Sequence, residues 1–290
     1  MNLLSLLEHL EYKCLQGSTE QEVSSVVYDS RKVEEGSLFI CIRGAVVDGH
    51  KFIPDVVAKG AKTLIVEEAV EAPEDVTVIQ VKDSRYAMAL VAAAYYDYPG
   101  DKLRVIGITG TKGKTTSTYM IKSILQKHGL KVGLIGSIAI YINDEKIEDC
   151  DRTTAESYKI QKTLAMMVKE NVDIVVLEVS SQAMKLDRVV GCEFDAVLFT
   201  NLSEDHISPK EHKDMEDYFE AKLSLAKMAP FVVFNLDNEY TARIPNLLSD
   251  KTLRSFAMDT KADVMAKDLN LSNTGVDFTL CMNDKEFPVR

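Results

Sequence analysis

The segment GITGTKGKTT, Gly107 to Thr116, constrains the fold of this chain more than any other stretch. It follows the apolar run LRVIGIT and precedes STYMIKSILQKHG, which has helical apolar spacing and ends in Gly129. Strand, glycine-rich loop and helix in that order make the setting in which a loop receives phosphate. The glycines let backbone N–H groups approach the oxygens, Lys114 supplies positive charge, and the Thr115 hydroxyl reaches magnesium. The run reads G-x-x-G-x-x-G-K-T, with Ile108 where the simpler G-x-x-x-x-G-K-[ST] rule has its first glycine. A glycine-rich loop without a ligand is the alternative.

Alternation of strand and helix extends in both directions. Before the loop come short strands in VSSVV and LFICI, a helix ending near Gly60, strands at Thr63 to Val66 and in VTVIQV, and the Ala-rich helix SRYAMALVAAAYYDYP. After it come strands in KVGLIGS, VDIVVLEVS, AVLFTNL and FVVFNL, with helices from Glu156 to Glu170 and from Met215 to Met228. Apolar strands between helices predict an α/β fold with a mostly parallel sheet covered on both faces. The tail from Ala262 to Arg290 alternates polar and apolar residues and predicts antiparallel strands at the sheet edge. At 290 residues the chain exceeds the usual single domain of about 100–200, so two units are expected. Pro99 and Gly100 stop a helix and place the boundary, giving domains 1–98 and 99–290.

Charge narrows the function. With 34 Lys and Arg against 45 Asp and Glu the net charge is -11, which argues against nucleic acid or an anionic membrane as the main partner. No apolar run approaches the ~20 residues of a membrane span. The opening MNLLSLLEHLEYK reads as an amphipathic helix and not as a secretion signal. Five scattered cysteines form no C-x-x-C pair, which fits reduced, cytoplasmic thiols.

Two further clusters follow strand ends. In LEVSSQAMKLDR, Glu178 closes a buried strand, where doubly wound sheets bind ligands; it is placed either to hold a nucleotide's magnesium or to form a salt bridge in a loop. In FTNLSEDHISPKEHKDMEDYFEAK, Asp205, His206, His212 and Lys222 are candidates, against the readings of a structural histidine and a solvated helix face.

Taken together, these clusters resemble the Mur ligases, and within that family the branch adding the third amino acid of the peptidoglycan precursor. YDSRKVEEGSLFICIRGAVVDGHKFIPDVVAKGA looks like the family's uridine-binding domain, GTKGKTT its ATP loop, RTTAES its substrate-binding segment, LEVSSQAMKLDR the segment with the magnesium glutamate, and YFEAKLSL the segment with the carbamylated lysine. The resemblance implies a small N-terminal α/β uridine-binding domain followed by a P-loop ATP-binding domain that is shortened at its C-terminus. It implies ATP on Gly110, Thr111, Lys112, Gly113, Lys114, Thr115 and Thr116, and magnesium on Thr115, Glu178, His206 and a carbamylated Lys222. Substrate falls on Ser30, Thr153, Thr154, Ser180 and Arg188, and catalysis on Lys114, Lys222 and His206.

The implied reaction is ATP-dependent amide-bond formation on UDP-N-acetylmuramoyl-L-alanyl-D-glutamate through an acyl phosphate, with lysine or diaminopimelate as the incoming amine. The family's third domain receives that amine, so the sequence given is expected to ligate little alone. Departures from the family pattern stand at Lys112, Arg152, Ala155, Gln182, Leu186 and in ISPKEHK. The alternatives are a divergent Mur-like paralogue, a folylpolyglutamate-type ligase, a P-loop kinase or regulatory NTPase, and a non-catalytic UDP-sugar-binding protein.

Overall fold

The computed structural model describes residues 1–44, 47–209, 211–273 and 275–290. Positions 45 and 46, in the stretch resembling a uridine-binding domain, and position 210, in ISPKEHK, lie outside the described residues.

The first compact unit gathers Met1–Lys102, Ala155–Lys169 and Leu186–Cys192. Its sheet holds β1 (Lys13–Gln16), β2 (Val26–Val27), β3 (Leu38–Ile40), β4 (Thr63–Val66) and β5 (Thr77–Gln80) in the order β1-β5-β4-β3-β2 among the described residues. Strands β2 to β5 run parallel and β1 pairs antiparallel with β5. Side-chain alternation divides the core between the two faces: Leu38, Ile40, Ile65 and Ile79 meet Leu3, Leu6 and Val91 on one, while Phe39, Leu64, Val66 and Val78 meet Val56 on the other.

Two sequence expectations need correction here. The opening stretch is not one helix: only Leu3–Leu6 is helical, and Lys13–Gln16 is strand. Leu3, Leu6, Leu7 and Leu10 are all buried, so the apolar spacing reported which side chains face the core but not how far the hydrogen-bond ladder runs. The second correction concerns 155–169 and 186–192, expected in the later domain but clustered with the first unit. Helix Ser84–Tyr95, capped by Asp83, buries Ala87, Met88, Ala89, Val91, Ala92 and Ala93, an apolar surface too wide for one sheet face to cover. Helix Ser157–Lys169 packs against it, and Glu156 pairs with both Arg85 (3.1 Å) and Arg188 (2.9 Å).

The second unit comprises Leu103–Thr154, Glu170–Lys185 and Glu193–Arg290. Its strands are β6 (Arg104–Thr109), β7 (Val132–Ile135), β8 (Ala139–Ile142), β9 (Glu145–Asp149), β10 (Ile174–Glu178), β11 (Ala196–Phe199), β12 (Phe231–Asn235), β13 (Thr252–Ala257), β14 (Val264–Ser272), β15 (Gly275–Met282) and β16 (Lys285–Val289). The order is β16-β15-β14-β13-β12-β11-β6-β10-β7-β8-β9 among the described residues. From β14 to β7 neighbours run parallel, and antiparallel hairpins finish both edges. The α/β class and the antiparallel tail are as the sequence predicts. The β8–β9 hairpin is an addition: EKIED is exposed along its whole length and carries no apolar alternation.

Candidate functional site

Strand β6 lies between β10 and β11, and the chain leaves it toward one side first and returns to the other later. This is the switch point of an open α/β sheet, where loops at the carboxyl ends diverge and leave a crevice. Residues 110–113 connect β6 to helix Lys114–Lys127 there. Gly113 caps that helix at φ 83, a conformation open to glycine, and Gly110 has φ 142 with so little room that a Cβ would meet Thr200 Oγ1 at 2.0 Å. Lys114 Nζ turns back to donate to Gly110 O (2.9 Å) and Thr111 O (3.1 Å), and burial lowers its pKa. Lys112 is exposed and pairs with Asp205 at 3.0 Å, while Thr116 faces solvent in the first helical turn.

Glu178, at the end of β10, is fully buried and accepts from Thr115 Oγ1 (3.0 Å), Ser137 N (3.1 Å) and Ser137 Oγ (2.9 Å). Among the described residues no three Asp, Glu, His or Cys side chains converge as a metal group. The hydroxyl and carboxylate oxygens of Thr115 and Glu178 still suit magnesium, a hard cation that keeps waters and takes phosphate oxygens alongside one or two protein ligands. Glu178→Gln would set an NH2 group against hydroxyl and amide donors. It should lower unfolding free energy by about 1–3 kcal/mol, as urea unfolding would record.

Lys222 lies on helix Met215–Lys227, buried, with Nζ donating to Gly110 O at 2.9 Å and lying 4.6 Å from the centre of the Tyr218 ring. Burial first, and the nearby Lys114 charge second, push its pKa well below the ordinary lysine value. Of the expected metal set, Thr115 and Glu178 are in contact. Lys222 and Lys114 both donate to the carbonyl of Gly110. His206 is half-exposed at φ 57, with Nδ1 3.0 Å from Glu211 Oε1.

His212, a candidate from the sequence, is joined here by residues with no sequence signal of their own. His212, almost wholly buried, spans Ser181 Oγ (2.9 Å from Nε2) and Asp217 Oδ2 (3.2 Å from Nδ1), and burial lowers its pKa. A 2.6 Å hydrogen bond from Lys185 holds the Asp217 carboxyl down at about 2. Because that folded-state value is depressed, the pairing's stabilisation is present above the ordinary aspartate pKa of about 3.9 and is lost as pH falls toward 2. Tyr218 OH lies 3.3 Å from Thr111 Oγ1.

Of the residues expected to take substrate, Thr154 and Ser180 come together. The Thr154 hydroxyl donates to Glu178 O and accepts from Ser180 N, both at 3.0 Å, and Ser180 Oγ accepts from Ala183 N. Thr153 is half-buried beside them. Arg188 belongs to the first unit, on Glu156. Ser30 follows Asp29, which caps the next turn, and with Tyr28, Arg31, Ile42 and Phe52 it lines a cavity of about 650 Å³ in the first unit. Of the departures, Arg152 pairs with Asp151, and Gln182 Oε1 has no hydrogen-bond partner among the described residues.

Comparison with known proteins bears on this arrangement directly. The family model described as Mur ligase middle domain matches residues 108–290, and that described as Mur ligase family, catalytic domain, matches residues 22–96. The chain belongs to the Mur ligase family.

This Mur ligase chain is 43% identical over 282 residues to the UDP-N-acetylmuramoyl-L-alanyl-D-glutamate–2,6-diaminopimelate ligase of Clostridium perfringens (strain 13 / Type A), covering 96% of this chain and 58% of that protein. It is 44% identical over 291 residues to the ligase of the same name from Clostridium botulinum (strain ATCC 19397 / Type A), covering 99% and 59%. A solved structure of a ligase of that name superposes with TM-score 0.83 at 24% identity, over 100% of this chain and 59% of that one, a likeness of fold. The chain thus spans about 58% of the length of the curated relatives it matches.

Proposed function

We propose that the chain carries the UDP-substrate and ATP sites of an ATP-dependent ligase that adds diaminopimelate to UDP-N-acetylmuramoyl-L-alanyl-D-glutamate. The phosphate loop whose Thr115 meets the buried Glu178, within a chain of this family, carries the reading. Diaminopimelate is preferred to lysine because the two Clostridium relatives described above are named for it. The match of residues 22–96 weighs against a folylpolyglutamate-type ligase or a P-loop kinase.

In this reading a substrate carboxylate attacks the γ-phosphorus of ATP and ADP leaves; the amine then attacks the acyl carbon, and phosphate departs with formation of the amide. Helix Lys114–Lys127 directs its first amides at the phosphates, and Lys114 leaves Gly110 O and Thr111 O to pair with them. Thr115 and Glu178 would hold magnesium, which offsets negative charge on the transferring phosphate. His206 is assigned to a metal or catalytic role, Thr153, Thr154, Ser180 and Arg188 to the acyl substrate, and Ser30 to uridine. These small, water-soluble reactants suit the cytoplasm, and among the described residues no helix is long and apolar enough to cross a membrane.

Calorimetry of the full chain with ATP, and separately with the UDP-linked dipeptide, tests both sites. Micromolar-range binding of each is expected, and a flat titration with ATP would remove the reading. Ser30→Ala should weaken the UDP-linked ligand about five- to tenfold with ATP binding unchanged, the worth of about one hydrogen bond; equal affinity would take uridine away from Ser30.

Lys222 is assigned as a carbamate. Its suppressed pKa favours the neutral amine, whose lone pair attacks carbon dioxide; the N–C bond forms as a C=O π bond opens, one proton leaves, and the neutral amine becomes a carbamate anion. Mass spectrometry under bicarbonate, with Lys222→Arg as control, should show a labile gain of one carbon dioxide in the wild type alone.

A further inference from the structure

We infer that Asn201, on the connection leaving β11, is a positioning residue that locks the phosphate loop in its anion-receiving shape. The inference deepens the ATP reading and rests on it. Asn201 grips the backbone of Lys112 from both sides: Oδ1 accepts from Lys112 N and Nδ2 donates to Lys112 O, each at 3.0 Å. Its own carbonyl accepts from Thr111 N at 2.9 Å. Thr200 adds a second donor to Lys112 O at 2.8 Å and reaches Thr109 O at 3.3 Å.

This grip divides the loop amides into two sets. Those of Thr111 and Lys112 are satisfied by Asn201. The first amide to find a helical carbonyl is that of Ser117, on Gly113 O at 2.9 Å, so the amides of Lys114, Thr115 and Thr116 precede any intrahelical partner. Between the sets lies the peptide joining Lys112 to Gly113. In a planar trans peptide the C=O and N–H point in opposite directions, so holding Lys112 O against Thr200 and Asn201 aims Gly113 N–H the other way. That peptide is the one prone to rotate, because Gly113 sits at φ 83 and pays little steric cost for other conformations. Rotated, it would present a partly negative carbonyl to a phosphate in place of a donor. Two side-chain donors on one carbonyl prevent the rotation.

The test is Asn201→Ala in the full chain, titrated with ATP, inorganic tripolyphosphate and the UDP-linked dipeptide, with amide exchange followed at Gly113. ATP and tripolyphosphate affinities should fall by the same factor, tenfold or more, because the loop touches only phosphate. The UDP-linked ligand should bind as before, and Gly113 exchange should accelerate. Wild-type-like ATP affinity, or a parallel loss for the UDP-linked ligand, would overturn the assignment. Should the alanine variant not fold, Asn201→Asp keeps the shape and the acceptor but lacks the donor to Lys112 O. Measured in high salt to screen its added charge, it should show the same loss, and wild-type affinity would again refute the role. A wild-type chain that binds no ATP would refute the ATP reading itself, and this inference with it.

Discussion

Replacing Lys114 by alanine should lower ATP affinity by about a hundredfold or more while the protein stays folded. A hydrogen bond to a charged group is worth roughly 1.5–3 kcal/mol, and an ammonium placed between phosphates makes two, which sums to the 3 kcal/mol or more that a hundredfold requires. The fold itself loses little. Among the described residues Lys114 donates only to Gly110 O and Thr111 O, and Gly110 O keeps its bond from Lys222. Desolvation already disfavours the Lys114 charge, so its removal relieves a cost in the ligand-free protein. Calorimetry should record the loss, with a melting temperature within a few degrees of wild type. An unchanged dissociation constant would show that phosphate does not sit on this loop.

Gly110→Ala should damage both binding and stability. The new methyl would lie 2.0 Å from Thr200 Oγ1, 3.0 Å from Asn201 O and 3.1 Å from Asn201 N, at a backbone φ of 142 that alanine rarely adopts. Two of those three atoms are backbone and cannot step aside. Overpacking of 1–3 kcal/mol and backbone strain of similar size give a fall in unfolding free energy of about 3 kcal/mol. Urea unfolding of this variant beside Gly129→Ala, where no atom lies within 4 Å of the added carbon, separates crowding from the general cost of positive φ. Equal losses in the two variants would remove the crowding argument.

The glycine-rich loop was legible because its information is local: glycines, lysine and threonine lie between a recognisable strand and helix. Glu178 was legible for a related reason, since the end of an apolar run marks the ligand edge of a parallel sheet. Lys222 was reached through the family resemblance, since its charged surroundings also fitted a solvated helix face; in the structure it falls on the face shared by Phe219, Leu223 and Ala226, all buried. Ser137 and Asn201 could not be read this way. Each acts through partners far along the chain, Glu178 for Ser137 and Lys112 for Asn201, and no pattern within a short window encodes such pairings. The first-unit membership of 155–169 was hidden likewise: its periodicity announces a helix but not which surface it covers.

That membership has a bearing on how this protein could ever be taken apart. The chain passes from one unit to the other at 102/103, 154/155, 169/170, 185/186 and 192/193. A gene cut at the apparent joint after Tyr98 would therefore leave the Ala-rich helix stripped of its neighbour, with a broad greasy surface open to water. Neither half is a cassette that recombination can trade between relatives by a single crossover. The two must be inherited, and chimeras designed, with all five passages kept together.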